Sequence, residues 1–493
     1  MENIPLPNTN DKKIIIFIMG TSAVGKTKLS LSLANTLKNC EIVNCDSMQL
    51  YKDANIMTAK ATKDEQLKIK HHLLDILDVS VNNFTRTSFI EIGVKLIDDL
   101  FKQGVIPIIV GGTHYYLEGL LFQDNELFQD HESSETETAT NEEITTLEDY
   151  NLLKEIDPVM ANKIHPNDKR KIRNYLMLYN KHKILPSEMV KKSESERKLR
   201  YENSIILWPL MQKSQVLKEK ARLRIEEMVK QEGIKEIISI YEYFCFEIQE
   251  VDELEKKLDF TRGILQAIGY KEFFLFYKEI KKILLKLNLS FKKILNNEKE
   301  TDDFLKYIQD DITIQDKLSL CKERLLMKTI KYTKKQLLWI ENRLLTLPVL
   351  ENRIFKFGFN SYDSGEFEKS VLFPACKILA NYKSNLNLKI LKKDFDNYVI
   401  SEIELKNNSK RTALEEWKKF HCEICNYDFN GPKEWEIHLS SKKHTKKKEK
   451  LKRKEKEKEN NFKKKELKKE NQQENKDQNN EINTSTHDLF KEV

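Results

Sequence analysis

Short apolar runs alternate with amphipathic segments over the first quarter of the chain. Three runs, IIIFIM from Ile14, EIVNC from Glu41 and IPIIV from Ile106, are rich in β-branched residues, which is typical of strands buried on both faces of a sheet. The first and third runs lead into the helical patterns KLSLSLANTL and YYLEGLL. Strands that alternate with helices predict an α/β fold with a parallel sheet.

The pattern changes several times further along the chain. Residues 124–149 are rich in Glu, Ser and Thr, which predicts a flexible acidic insertion, and SIILWPL from Ser204 predicts a return to the sheet. The stretch 281–315 is interpreted as a lineage-specific insertion, and the Lys/Glu-rich end predicts disorder. The predicted divisions are a first part of the core (12–122), an acidic loop with a helical insertion domain (123–203), a second part of the core with basic helices (204–348), a linker (349–415), a finger (416–447) and a disordered basic tail (448–493).

Composition and charge narrow the candidate partners and cellular compartments of the protein. The 493 residues carry a formal charge of +7, placed mainly at the C-terminus, which favours a polyanionic partner, although a solvated tail explains it equally well. Seven cysteines without a secretory leader indicate a reducing compartment, and no apolar run reaches the roughly 18 residues of a membrane span. We therefore expect no membrane association and a cytoplasmic protein, with the mitochondrion and the nucleus as further candidate compartments.

The stretch GTSAVGKT fits the phosphate-loop pattern G-x-x-x-x-G-K-[ST] between a predicted strand and a predicted helix. Its backbone N–H groups can approach phosphate oxygens, Lys26 supplies a positive charge, and the Thr27 hydroxyl can ligate Mg²⁺. The pattern alone leaves open whether a nucleoside triphosphate or another phosphate is bound. The predicted diphosphate-binding residues are Gly20, Thr21, Ser22, Ala23, Val24, Gly25, Lys26 and Thr27.

Two other strand ends carry polar residues. Asp46 follows the second predicted strand, and Thr113 ends the GGT triplet after the third. Parallel sheets bind ligands at the carboxyl ends of their strands, so both residues are candidates for a site. An Asp in this position is also a common helix N-cap, and the residue alone does not decide between the two roles.

Near the C-terminus, Cys422, Cys425, His438 and His444 form the pattern C-x2-C-x12-H-x5-H. Two thiolates and two imidazoles at this spacing predict a tetrahedral, structural Zn²⁺ site with no open position for catalysis.

Six ordered motifs resemble the tRNA dimethylallyltransferase family, also called tRNA isopentenyltransferases: GTSAVGKTKLS, EIVNCDSMQLYKDANIMTAKAT, HHLLDI, IPIIVGGTHYYLEGLL, HPNDKRKIRNYL and LQAIGYKEF. The match covers most of residues 12–345, and the finger, which is similar to matrin-type RNA-binding fingers, resembles the eukaryotic branch. The resemblance implies a phosphate-loop (P-loop NTPase-like) core. It also implies transfer of a dimethylallyl group from its diphosphate to N6 of adenine 37 in tRNA.

The resemblance also assigns roles to particular residues. Asp46 would be the general base, and Lys26, Thr27 with Mg²⁺, and Arg224 would stabilise the leaving diphosphate. The implied tRNA-binding residues are Asp46, Ser47, Met48, Gln49, Thr113, Arg170, Lys171, Arg173 and Gln266. Gly269 and Tyr270 are either RNA-facing or part of the core, and His114 is assigned no chemistry.

The sequence departs from the family pattern at two positions. Asn174 stands where an Arg is usual, with Arg173 one residue earlier, and Lys220 stands where an Arg is more common. Two rival functions use the same loop: prenylation of free adenine nucleotides, and RNA-dependent nucleoside triphosphate hydrolysis. A nucleotide-sized acceptor would not require the finger or the basic helices. Family precedent predicts a monomer.

Overall fold

The computed structural model describes residues 13–37, 39–123, 146–195, 197–384, 419–430, 432–454 and 456–457. The chain divides into two compact units, one of residues 1–138 with 193–411 and the other of 139–192 with 412–493. Residues 124–145 of the predicted acidic stretch, residues 385–415 of the predicted linker, and the predicted tail beyond 457 lie outside the described residues. Residues 448–454, the start of the predicted disordered tail, are helical, so the prediction of disorder is wrong there.

The first unit is built on a sheet of six strands: β1 (Ile15–Ile18), β2 (Cys40–Asn44), β3 (His71–His72), β4 (Ile106–Val110), β5 (Ser204–Met211) and β6 (Ile354–Phe359). All neighbours pair in parallel, in the order β3-β2-β4-β1-β5-β6. Successive side chains of the central strand point to opposite faces: Ile16 and Ile18 pack into one apolar core, and Ile15 and Phe17 into another. This explains why the strand is apolar at every position.

Helices connect these strands and form a third core. In the first unit they are α1 (Lys26–Leu37), α2 (Lys63–Lys68), α3 (Arg86–Lys102), α4 (His114–Leu121), α9 (Ser214–Met228), α10 (Gln231–Cys245), α11 (Leu254–Lys257), α12 (Tyr270–Lys286), α13 (Phe291–Leu295), α14 (Glu298–Asp310), α15 (Ile312–Trp339), α16 (Ser364–Phe367) and α17 (Phe373–Ser384), with α8 (Pro186–Ser195) at the boundary between the units. The predicted insertion at 281–315 contributes buried side chains, among them Phe291 and Ile308, to the helical core.

The prediction of a linker beginning at residue 349 is wrong for the described residues up to 384. Ile354–Phe359 pairs with β5 as the sixth strand, and Phe367, Val371 and Tyr382 pack into the core beneath the sheet. The strand reads IFKFGF, in which Lys356 and Gly358 interrupt the apolar run. Its apolar pattern was therefore weak, and only the pairing with β5 reveals it as a strand.

The second unit contains a small helical group and the finger. Its helices are α5 (Thr146–Ile156), α6 (Pro158–Lys163), α7 (Lys169–His182) and a finger helix, α18 (Pro432–Leu439), with the antiparallel strands β7 (Lys419–Cys422) and β8 (Tyr427–Asn430). The side chains of Leu153, Met160 and Ile172 form its helical core. Lys419 of the finger lies 4.1 Å from the ring centre of Tyr150 in α5, so the finger contacts the helical group.

Candidate active site

Three loops meet at one edge of the sheet because β2, β4 and β1 are neighbours and run parallel. The phosphate loop follows β1, Asp46 follows β2, and Gly111–Thr113 follow β4. The approach between the last two is close: a Cβ atom on Gly111 would lie 2.0 Å from the carbonyl oxygen of Cys45. Only glycine fits there, which gives the GGT triplet its structural reason.

The phosphate loop wraps tightly before α1. Gly20 and Gly25 have φ values of 142° and 95°, and Ala23 has a φ of 63°. The Lys26 ammonium donates hydrogen bonds to the carbonyl oxygens of Gly20 at 3.1 Å and Thr21 at 2.8 Å. Since α1 begins at Lys26 and Thr27 is exposed beside it, the helix N-terminus can receive an anion.

Asp46 combines the two roles that its sequence position left open. One carboxylate oxygen accepts the Met48 N–H at 3.1 Å, which caps the short 3-10 helix Ser47–Leu50. The other oxygen would lie 2.8 Å from a Cβ on Gly112. Burial raises the pKa of Asp46, opposed by the amide groups of Met48 and Gly112 and by the charges of Lys26 and Arg224. A carboxyl with a raised pKa is a stronger proton acceptor.

Two cations face this carboxyl. Burial lowers the pKa of Lys26 to about 8, with the Asp46 charge opposing the shift and Arg224 adding to it. Desolvation lowers the pKa of Arg224, on α9, and the charge of Asp46 opposes this shift. Arg224 is exposed overall, and its charge remains coupled to that of the Asp46 carboxyl. Three of the four predicted catalytic side chains, Asp46, Lys26 and Arg224, therefore share one electrostatic environment.

The residues after Asp46 are held by side-chain hydrogen bonds. The Ser47 N–H donates to the Thr113 hydroxyl oxygen at 3.0 Å, and the two hydroxyls lie 3.1 Å apart. The Gln49 side-chain amide donates to the carbonyl oxygens of Thr58 at 3.1 Å and Ala59 at 3.2 Å. Met48 is half-buried against the helical core. Thr113 thus positions Ser47, and Gln49 positions the following loop.

The GILQAIGY segment separates into exposed and buried positions. Gln266 is exposed, whereas Gly269 and Tyr270 are buried. A Cβ atom on Gly269 would lie 3.1 Å from the sulfur of Met57, and the Tyr270 hydroxyl donates to Glu236 at 3.3 Å. Of the two roles open for Gly269 and Tyr270, the core role is the one observed.

Sequence reasoning missed a histidine beneath the phosphate loop. His114 is 4% exposed, and its Nε2 accepts the Gly20 N–H at 3.2 Å. Burial lowers the pKa of His114 to about 3, with the Lys26 charge adding to the shift, so the ring is neutral. Trp339 stacks on it with ring centres 5.7 Å apart. In the sequence, the position of His114 directly after the GGT triplet was the signal that could have indicated this role.

The region assigned to a linker also supports the loop. The Tyr362 hydroxyl donates to the Ala23 carbonyl oxygen at 2.9 Å, and Phe367 would lie 3.1 Å from a Cβ on Gly25. The Lys220 ammonium lies 5.4 Å from the centre of the Tyr362 ring. No local sequence pattern marks Tyr362 and Phe367, because their contacts with the phosphate loop join positions more than 300 residues apart in the chain.

The predicted basic RNA contacts lie in the second unit, on α7. Arg170, Lys171 and Arg173 are exposed, whereas Ile172 packs into the helical core. Lys171 pairs with Asp168 at 2.9 Å, and Arg173 approaches Asp149 at 3.5 Å. The helix is therefore amphipathic, with these charges on its solvent side.

The four predicted zinc ligands gather in the finger. Their ligand atoms all lie within 4.8 Å of one another. His444 Nδ1 lies 3.5 Å from the Cys422 sulfur, 3.6 Å from the Cys425 sulfur and 3.0 Å from His438 Nε2. Bond lengths of about 2.0–2.3 Å around a tetrahedral zinc give ligand separations of roughly 3.3–3.8 Å. The two sulfur distances lie in this range and the distance between the two imidazole nitrogens is slightly shorter, so the donor set fits the ion after a small adjustment of the histidines.

Comparison with known proteins gives the family. The IPP transferase family profile matches residues 49–343, and a C2H2-type zinc-finger profile matches residues 420–444. The tRNA dimethylallyltransferase of Saccharomyces cerevisiae is 30% identical over 442 residues, which are 88% of this chain and 92% of that protein. The chain belongs to the tRNA dimethylallyltransferase family.

Two further members of the family show similar identity to this chain over most of its length. The human tRNA dimethylallyltransferase is 28% identical, with 87% of this chain and 85% of that protein covered. A crystallographically characterised eukaryotic dimethylallyltransferase acting on tRNA superposes with a TM-score of 0.63 at 27% identity, over 91% of this chain and 99% of that chain. The predicted family, the α/β fold class and the finger are thus confirmed. The catalytic and binding roles of individual residues stay predictions.

Within the described residues, none of the helices combines the length and the apolarity that a membrane crossing requires.

Proposed function

We propose that this protein transfers a dimethylallyl group from dimethylallyl diphosphate to N6 of adenine 37 in tRNA, giving N6-(dimethylallyl)adenosine and diphosphate. The observation that supports this most strongly is the meeting of a phosphate loop with a half-buried carboxyl, Asp46, at one sheet edge. A phosphate site next to a proton acceptor suits the displacement of diphosphate by an amine.

On the donor side, the loop amides, Lys26 and Arg224 would bind the diphosphate. Negative charge grows on this leaving group as the allylic C–O bond breaks, so preorganised positive groups lower the barrier. The exposed Thr27 hydroxyl at the start of α1 fits a Mg²⁺ ligand. When bound, Mg²⁺ would neutralise part of the diphosphate charge. The remaining cationic groups come from the chain itself.

On the acceptor side, Asp46 would take the proton from N6. The new C–N bond forms from the N6 electron pair, the C–O bond electrons leave with the diphosphate, and the N6 proton moves to the carboxylate. An amine conjugated with a purine ring is a weak nucleophile, so removal of its proton assists the attack. The raised pKa of Asp46 suits this role, and the charges of Lys26 and Arg224 favour its ionised form.

The tRNA would be recognised by several parts of the chain. An adenine must leave its stack before its amine can react, and the turn Ser47–Gln49 lies directly beside Asp46. Exposed Gln266 and the basic residues of α7, Arg170, Lys171 and Arg173, are suited to RNA contacts. The zinc finger would add shape and phosphate contacts. We also propose a monomer that works in the cytoplasm, testable by light scattering and by imaging of the tagged full-length protein.

The test is incubation of the full-length protein with labelled dimethylallyl diphosphate, Mg²⁺, and either A37-containing tRNA or AMP, followed by nuclease digestion and mass analysis. We expect label in dimethylallyl-adenosine from tRNA alone. Label on AMP would instead support the free-nucleotide prenyltransferase. RNA-stimulated triphosphate hydrolysis without carbon transfer would support the hydrolase.

A matched pair of variants tests the base. Asp46→Asn removes the half-buried carboxylate, and we expect loss of transfer with tRNA binding retained. Asp53→Asn removes an exposed carboxylate from the same segment and should leave transfer unchanged. Full activity of Asp46→Asn would reject Asp46 as the base.

A further inference from the structure

Gln336 joins two loops of the proposed active site. It lies on α15 and is 3% exposed. Its side-chain oxygen accepts the Ser22 N–H of the phosphate loop at 2.8 Å, and its side-chain nitrogen donates to the Gly112 carbonyl oxygen at 2.9 Å. The orientation of the amide is fixed, because the backbone offers a donor at one end and an acceptor at the other.

Gly112 in turn lies against the proposed base. A Cβ atom on Gly112 would lie 2.8 Å from a carboxylate oxygen of Asp46 and 3.1 Å from the Gln336 nitrogen. Tyr332, one turn before Gln336 on the same face of α15, also donates to the Gly112 carbonyl oxygen, at 3.4 Å. The helix thus holds the peptide that contacts Asp46 through two side chains.

The same helix supports the phosphate loop from a second direction. Trp339 stacks on His114, which accepts the Gly20 N–H. One face of α15 therefore carries side chains that reach both the donor loop and the loop beside the base. Gln336 joins the two loops from a third element, whereas His114, directly after Gly111–Thr113, bonds the phosphate loop from the end of one of them.

We propose that Gln336 is a positioning residue that sets the distance between the diphosphate-binding loop and Asp46. This inference rests on the proposed function. The reacting carbon of the donor must lie between the departing diphosphate and N6 of the adenine, so the two loops must keep their separation during the reaction. Misplacement of reacting groups by about 1 Å can reduce a rate about 100-fold. A buried amide that both accepts and donates holds the loops from both sides, which neither an apolar nor a purely accepting side chain can do.

The test compares Gln336→Met with a matched control, Gln315→Met, in the full-length protein. Methionine keeps the length of the side chain and removes both hydrogen bonds. Gln315 lies on the same helix and donates to the Ile308 carbonyl oxygen at 2.8 Å, away from the loops. The measurements are the single-turnover rate of dimethylallyl transfer to tRNA, the affinities for inorganic diphosphate with Mg²⁺ and for tRNA, and the melting temperature.

We expect Gln336→Met to lower the single-turnover rate about 10- to 100-fold while each affinity changes by less than about threefold. Gln315→Met should keep the wild-type rate at a comparable melting temperature. A Gln336→Met rate within about twofold of the control would overturn the proposal. A rate that falls only in parallel with both affinities would do the same, since it would indicate general damage.

If Gln336→Met does not fold, the variant Tyr332→Phe tests whether α15 positions Gly112. It removes only the hydroxyl that donates to Gly112, and we expect a rate about two- to tenfold below wild type, because one of two donors remains. An unchanged rate would reject the role of α15 in positioning Gly112. Failure of the wild-type protein to transfer label to tRNA would reject the proposed function itself, which separates the two conclusions.

Discussion

Protonation of His114 should destabilise the phosphate loop, and His114→Gln should remove this acid sensitivity. The neutral ring accepts the Gly20 N–H at 3.2 Å through Nε2, and a proton on that nitrogen would replace the acceptor with a donor. A glutamine can offer a carbonyl oxygen to the same N–H and does not titrate between pH 5 and pH 7. The substitution thus separates the hydrogen bond from the ionisation.

The size of the effect follows from the pKa in the two states. In the folded protein the pKa of His114 is about 3, against an ordinary value of 6.5 in the unfolded chain. Below pH 6.5 the unfolded chain binds a proton that the folded protein does not, so the free energy of unfolding falls as the pH falls towards 3. Between pH 7 and pH 5 this linkage amounts to about 2 kcal/mol.

The assay is urea unfolding of the wild type and His114→Gln at pH 7 and pH 5, followed by circular dichroism. We expect the wild type to lose about 2 kcal/mol more than the variant between the two pH values. Other titrating groups are shared by both proteins, so their effects cancel in the difference. Equal losses in the two proteins would refute the assignment of a buried, neutral histidine beneath the loop.

Three further variants test other parts of the structure. Glu236→Gln should destabilise the protein by about 1–3 kcal/mol, because the carboxylate accepts three backbone N–H bonds from residues 55–57. Urea unfolding compares this variant with Glu232→Gln, which changes an exposed carboxylate, and equal stability of the two would contradict the prediction. Tyr362→Phe should raise the KM for dimethylallyl diphosphate, because it removes the hydroxyl that holds the Ala23 carbonyl of the phosphate loop. The control Tyr382→Phe, whose hydroxyl donates to Asn203, should leave the KM unchanged, and equal KM values in the two variants would contradict a supporting role for Tyr362. Cys422→Ser should abolish stoichiometric zinc in elemental analysis and weaken tRNA binding more than the chemical step, and retained zinc would exclude this ligand set.

Local sequence patterns predicted the elements whose physical cause is local. The buried run before Gly20, the glycines of the loop and the helix that begins at Lys26 follow one another in the chain, and each restricts the next. The finger is similar, since its four ligands lie within 23 residues and its fold depends on a single centre. Asp46 was found because strand ends of parallel sheets carry sites, and the family motif gave it a role.

Other features could not be predicted because they depend on distant contacts. The sixth strand became recognisable only by pairing with β5, and Tyr362 by its bond to Ala23. Gln336 stood within a basic helix as one polar residue among many, and nothing nearby marks it as buried. Similarly, the sequence left two roles open for Tyr270, contact with RNA and packing in the core, and its complete burial shows the second.

The sequence by itself determined the family, the phosphate loop, the candidate base and the zinc-ligand set, because these depend on residue type and short spacing. Only the tertiary structure decided how the loops are held together. His114, Gln336 and Tyr362 act through hydrogen bonds to backbone groups, and a backbone group has no residue identity to detect in a sequence. Their partners become visible once folding brings together strand ends that lie far apart in the chain.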